Sequence, residues 1–303
     1  MKEWRFIHCS DIHLGQNPDG VWNNRVLTSK SFEIFRTFLS DVERRGVKII
    51  VISGDISSCD DPQTLKKILS IFNVSSYRFI LTGGNHDFIS PEHNDILVKL
   101  LSRYSPASSL PFTMVYKNAL FCSMSIECSL STFPNLHTPC LSHPEIVKKD
   151  NDKLTYWFIP SEGLSWLGNT IKRSDKRIVF INLHCPILPV PDRCKFAGFR
   201  DSGILANSEE VINLLLTFVD KNFVVLSGHM HINYIVSYKN ITQVVTSSLC
   251  EFPCEYREII VGDGRISIKT HGLSNSKFAE DSLIPGKELT RGTNEDREYL
   301  LSL

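Results

Sequence analysis

Lys48-Ile49-Ile50-Val51-Ile52-Ser53-Gly54-Asp55 is a strand with a reactive end. Residues 49–52 are all β-branched, which favours an extended backbone. They lack polar alternation, so both faces are expected to be buried, as in a parallel sheet covered by helices. Upstream, Ser31–Arg45 reads as a helix. Phe32, Phe35, Leu39 and Val42 recur on one face at spacings of three and four, and Gly46 stops it. Downstream, Pro62 suits the first turn of a helix reaching about Phe72, and Arg78–Leu81 is the next strand.

The same grammar extends outward in both directions. Arg5–Cys9 reads as the first strand, Ile96–Tyr104 as a helix and Leu120–Ser125 as extended. Residues 127–153 mix Ser, Pro, Asn and His without a period and read as an irregular segment. A helix follows at Ser161–Arg173 through Leu164, Leu167 and Ile171, then a strand at Arg177–His184. Residues 185–207 form a long loop of the kind that is often functional. Ser208 can cap a helix running to about Val219, and Phe223–Ser227 is a strand. From Tyr234 to Thr270 strand follows strand, with Gly262-Asp263-Gly264 as a hairpin turn. Residues 274–303 are polar and aperiodic, a tail with at most one short helix. The expectation is one α/β domain over residues 1–273, with two sheets and outer helices.

Lys+Arg and Asp+Glu number 33 each, so the formal net charge is zero. That removes the whole-chain electrostatic case for a polyanion binder. The longest apolar runs are strand-sized and do not span a bilayer. Met1-Lys2-Glu3-Trp4-Arg5 lacks a signal peptide's apolar core. Nine scattered cysteines fit a reduced chain. The expectation is a cytoplasmic protein with no membrane partner.

Metal-binding residue types recur where the strands end. The ends read Ser10-Asp11-Ile12-His13, Ser53-Gly54-Asp55, Gly83-Gly84-Asn85-His86-Asp87, Asn182-Leu183-His184-Cys185-Pro186 and Ser227-Gly228-His229-Met230-His231. In α/β sheets, ligands gather beyond the carboxyl ends of strands. Asp11-x-His13 and His229-x-His231 put alternate side chains on the same side of an extended chain. Imidazole with carboxylate and amide oxygens suits Mn, Fe or Zn better than Ca or Mg. Two metals about 3.5–4 Å apart need a bridging ligand, which a carboxylate such as Asp55 can supply. Each motif alone is ordinary turn or core chemistry; five in one order, each after an apolar run, are not.

This ordered set resembles the calcineurin-like metallophosphoesterase superfamily over roughly residues 5–273. The resemblance implies an α/β (α+β) four-layer sandwich, two mixed β-sheets packed face to face and flanked by helices. It implies two divalent metal ions (Mn, Fe or Zn). Asp11, His13 and His231 would hold one, Asn85, His184 and His229 the other, and Asp55 would bridge. His86 would contact the phosphate and protonate the leaving oxygen, with Asp87 orienting it. A metal-bridging hydroxide would attack phosphorus without a covalent enzyme intermediate.

Departures from the superfamily's patterns narrow the branch. Residues 54–60, Gly-Asp-Ile-Ser-Ser-Cys-Asp, lack the Asp-Arg pair of the Ser/Thr protein phosphatases, and Asp87 replaces their Glu. Ser58 stands where purple acid phosphatases carry a metal-binding Tyr. His8–Gln16 is similar to the start of DNA repair nucleases, whereas Gly163–Leu167 and Ser247–Arg257 resemble the bacterial cyclic-nucleotide phosphodiesterase-like branch. The expectation is a phosphodiesterase acting on a small nucleotide or other phosphodiester. The alternatives are a DNA repair exonuclease-like subunit and a non-catalytic binding scaffold. In the 185–207 loop, Arg193, Lys195 and Arg200 are candidates to bind the phosphate. Phe196 and Phe199 either stack on a base or anchor the loop.

Overall fold

Alternating side chains on Trp4–Cys9 (β1) face two different cores. Trp4 and Phe6 point to one, Ile7 and Cys9 to the other. That pattern sets the architecture of the computed structural model, which describes residues 3–15, 18–58, 61–74, 76–87, 111–124, 126–129, 156–199, 203–262 and 264–303. The expected helix at 96–104, Arg200, Asp263 and most of the 127–153 segment lie outside the described residues.

Twelve strands form two mixed sheets. After β1 come Ile49–Ser53 (β2), Arg78–Thr82 (β3), Phe112–Tyr116 (β4), Ala119–Ser123 (β5), Ile178–Asn182 (β6), Asn222–Ser227 (β7), Tyr234–Tyr238 (β8), Ile241–Val245 (β9), Glu255–Gly262 (β10), Arg265–Gly272 (β11) and Glu298–Ser302 (β12). One sheet runs β12-β11-β10-β1-β2-β3 and the other β8-β9-β7-β6-β5-β4. β1, β2 and β3 are mutually parallel neighbours, as are β5, β6, β7 and β9. Their carboxyl ends therefore emerge together.

Three apolar layers hold the sandwich. Between the sheets, the Phe6 and Phe180 rings meet edge to face at 4.9 Å, and Phe121 stacks on Phe180 at 4.9 Å. Outside the first sheet, Ser31–Arg44 (α1) and Pro62–Val74 (α2) bury Phe35, Phe38, Leu65 and Phe72 against Ile7, Ile50 and Ile52. Outside the second, Ser161–Arg173 (α3) and Ser208–Leu216 (α4) bury Leu167, Ile171, Val211 and Leu215 against Val179 and Val225. The four-layer arrangement follows from these two-faced strands. Among the described residues, no helix is long and apolar enough to cross a membrane.

At the carboxyl ends a polar seam replaces the apolar filling. His8 bonds Ser53 Oγ at 2.7 Å and Thr246 Oγ1 at 2.8 Å. Ser53 Oγ donates to Asn182 Oδ1 at 2.6 Å, tying one sheet to the other. Burial, then the Arg257 charge, lowers His8 to about 3 and keeps it neutral.

Residues 274–303 are not a tail without structure. Lys277–Ser282 (α5) and Asn294–Arg297 (α6) are helical, and β12 extends the first sheet. Tyr299 and Leu301 pack on the inter-sheet core. The segment's polar residues make folded contacts. Thr293 and Asp296 form a capping box, and Asp296 is fully buried. Local capping chemistry accounts for a composition that otherwise suits an unstructured tail.

Candidate metal centre

The five strand ends converge. The loop after β2 runs beside the loop after β1: Asp11 N–H donates to Gly54 O at 3.1 Å, His13 N–H to Asp55 O at 2.9 Å and Leu14 N–H to Ile56 O at 2.9 Å. The ligand-bearing backbone is not extended there. Asp11, His13, Asp55, His229 and His231 have φ of 51°, 44°, 47°, 65° and 52°. These are left-handed conformations that non-glycine residues rarely adopt. The expectation of alternate side chains on an extended chain is corrected: the side chains converge because single left-handed residues turn them inward. Such strain persists where the surrounding structure enforces it, commonly at functional sites.

Close approach also requires glycine. A Cβ on Gly84 would stand 2.2 Å from Asp55 Oδ1, and one on Gly228 would stand 2.2 Å from Asp11 Oδ2.

Asp11, His13, Asp55 and His231 form a buried cluster whose ligand atoms all lie within 4.8 Å of one another. His231 Nε2 is 3.2 Å from both Asp11 Oδ1 and His13 Nε2. A second group stands beside it. His184 Nε2 is 3.0 Å from Asn85 Oδ1 and 3.2 Å from His229 Nδ1. Asp55 Oδ2 lies between, 3.9 Å from His13 Nε2 and 3.5 Å from His184 Nε2. Two donors each about 2.1 Å from one ion stand about 3.0–3.4 Å apart at ordinary coordination angles. The 3.0–3.2 Å spacings within each group fit that, the Asp55 spacings are longer, and the nitrogen–oxygen donor set fits Mn, Fe or Zn. All the sequence-expected ligands are thus brought together.

The electrostatics agree. Burial alone would raise Asp55 and Asp11, but facing imidazoles hold both carboxyls below their ordinary value. Burial lowers His13 and His229 to about 3, so both offer neutral nitrogens. Burial also acts to lower His184 and His231, but there the carboxylates prevail. His184 is pushed up to about 9 by Asp55, and His231 is raised by Asp11 and Glu251. These two sites draw positive charge, as a metal pocket must.

Outer partners fix the imidazoles. His184 Nδ1–H donates to Ser53 O at 2.7 Å, aiming Nε2 at the cluster. His13 Nδ1 bonds Ser58 Oγ at 2.6 Å. Glu251, fully buried, accepts from His231 Nδ1 and from the Asn24 backbone. Such carboxylate–histidine pairs orient metal ligands. The sequence reading did not single out Glu251; an acid inside Leu249-Cys250-Glu251-Phe252 was the available signal.

Two of the expected residues have partners of their own within the fold. Asp87 has backbone partners in place of the His86 imidazole. Its oxygens accept backbone N–H bonds from Ile56 at 3.1 Å, Ser57 at 2.9 Å and Gly84 at 2.8 Å, so it braces the loop that carries Asp55. Burial, then the Asp55 charge, raises it to about 7. Arg193 is not presented to a phosphate. Its guanidinium is taken up by Asp296 at 2.7 Å, Glu295 at 2.5 Å and Ile235 O at 2.7 Å. Lys195 pairs with Asp192 at 3.0 Å. His86 is exposed, with its ring 5.1 Å from that of His13 and its backbone N–H donating to Asp55 Oδ1 at 2.8 Å.

The fold is shared with solved structures. A dimetal phosphatase from Danio rerio superposes with a TM-score of 0.67 at 17% identity, covering 89% of this chain and 96% of that one. The purple acid phosphatase PPD1 of yellow lupin, Lupinus luteus, gives 0.58 at 11% identity, covering 99% of this chain and 54% of that one. GAP50, the anchor in the inner membrane complex of Plasmodium, gives 0.55 at 10% identity, covering 90% and 86%. No curated protein sequence matches. The family model for calcineurin-like phosphoesterases matches residues 5–233, a span that takes in every candidate ligand from Asp11 to His231, and the chain belongs to that family.

Proposed function

We propose that the chain is a dinuclear metal-dependent phosphoester hydrolase, acting on a phosphodiester of small-nucleotide type. The position of Asp55 carries this reading: one carboxylate stands between two donor groups, each spaced for one ion. Two divalent ions, when bound, supply Lewis-acid polarisation of the phosphoryl oxygen and a nucleophile at neutral pH. Asp11, His13 and His231 would hold one, and Asn85, His184 and His229 the other. Serine 53, Ser58 and Glu251 keep the imidazole nitrogens aimed. His86 reaches the open side of the cluster, where it contacts the phosphate and gives a proton to the leaving oxygen. The diester preference rests on the likeness of Gly163–Leu167 and Ser247–Arg257 to the cyclic-nucleotide phosphodiesterase-like branch.

The test is initial-rate hydrolysis of bis(p-nitrophenyl) phosphate beside p-nitrophenyl phosphate with Mn(II). Diester turnover is expected to exceed monoester turnover, and His86→Ala to lower it by about 10²–10⁴-fold. Monoester turnover in excess would overturn the diester preference. Absence of turnover with Mn(II), Fe(II) and Zn(II) alike would overturn the hydrolase reading.

A further inference from the structure

A cleft of ≈ 180 Å³ opens beside the candidate metal centre, and four segments distant in sequence build it. Trp22 comes from the loop after β1, Phe196 and Phe199 from the long loop, and Lys287 from the C-terminal segment. Met230, between the ligands His229 and His231, also lines it. Its position relative to the centre is fixed. The Trp22 ring lies 6.4 Å from the His231 ring, and Asn23 Nδ2 donates to Met230 O at 2.9 Å. Phe196 and Phe199 meet edge to face at 5.5 Å, and Lys287 Nζ stands 4.3 Å from the Phe196 ring centre.

The aromatic lining and the size select the occupant. Three aromatic side chains offer π-faces and edges, which a flat ring system matches best. The volume admits one such ring system but not a helix or a strand pair. Lys287 adds a positive charge, which suits an electron-rich ring or an anionic group attached to it. A large apolar ring such as Trp22, 40% exposed next to a buried metal cluster, is what a substrate-facing wall requires.

We infer that this cleft binds a planar aromatic group, a nucleobase or aryl ring, carried on the phosphoester whose phosphorus sits at the metal centre. The inference rests on the proposed function for the phosphate's position. Phe196 and Phe199 pack against the cluster of Val190, Met230 and Tyr234, which anchors the loop, and both also line the cleft, so the two expected roles are compatible. Lys287 makes the C-terminal segment part of the specificity apparatus.

Binding tests this without requiring turnover. Quenching of tryptophan fluorescence in the Mn(II)-loaded protein is read within the first seconds after mixing with adenosine 5′-monophosphate, and separately with ribose 5-phosphate. The nucleotide is expected to bind at least about tenfold more tightly than the sugar phosphate. Trp22→Phe should abolish the quench while keeping affinity, measured by competition. Phe199→Ala should weaken nucleotide binding by about tenfold and leave ribose 5-phosphate unaffected. Thermal melts identify any variant that has failed to fold, and Lys287→Ala, at a half-exposed site, then substitutes. Equal affinity for the two ligands, or unchanged nucleotide affinity in Phe199→Ala and Lys287→Ala, overturns the inference. Selective nucleotide binding by a protein that hydrolyses no phosphoester would uphold the cleft and overturn the hydrolase reading alone.

Discussion

Glu251 accepts the Nδ1 proton of His231, which leaves Nε2 directed at Asp11. Glu251→Gln retains the shape and can turn its amide the wrong way, so metal affinity should fall by about 10–100-fold in a Mn(II) titration. An unchanged affinity would show that Asp11 alone orients the ring. Gly84 offers a sharper test, because its missing Cβ leaves room for Asp55 Oδ1. Gly84→Ala should abolish metal uptake, measured by bound-metal content, while circular dichroism stays near wild type. At this scale the candidate ligands stood out in the sequence because their types are rare together at strand ends. Glu251 and Ser53 were not, since each acts through a partner distant in sequence. The left-handed backbone at Asp11 and His13 was also hidden, because φ there is imposed by hydrogen bonds to the loop at 54–56.

The element that matters most is the loop between β2 and α2. Asp87 holds it with two of its backbone N–H bonds, from Ile56 and Ser57, while a third comes from Gly84 beside Asp87, and Asp87→Asn replaces one accepting oxygen with a donor facing other donors. Stability should fall by roughly 1–3 kcal/mol in urea unfolding. A change under about 0.5 kcal/mol would contradict the bracing role. The C-terminal segment has a similar anchor in Asp296, bonded to Arg193, Thr293 and the Ile235 N–H. Burial would raise this carboxyl, yet those bonds lower it from 3.8 to about 2. A depressed carboxyl contributes stability that is fully present above its unfolded value and lost as pH falls through its folded one. Asp296→Asn should therefore cost roughly 2 kcal/mol at pH 7, and the difference from wild type should shrink between pH 4 and pH 2. A difference constant over that range would show that the charge is not what anchors the segment. Helices α1 and α3 were read closely from periodicity, whereas α6 is four residues long and too short to show one.

At the scale of the molecule, the sandwich was legible because nearly uniform apolar strands alternate with amphipathic helices, a pattern typical of helix-covered parallel strands buried on both faces. The place of β12 was not, since a five-residue edge strand shows only two inward side chains, Tyr299 and Leu301. One pairing in the first sheet spans most of the chain: Arg5 on β1 stands opposite Ile260 on β10. During synthesis at about 5–20 residues per second, the opening strand would wait roughly 10–50 s for that neighbour to emerge. For that interval its apolar edge is available to any other strand, its own or another nascent chain's. A chain released after residue 233 would have the whole family-matched span and every candidate metal ligand, yet that edge would never be closed. Its fate would be decided by chaperones and by concentration, before any phosphate chemistry came into question.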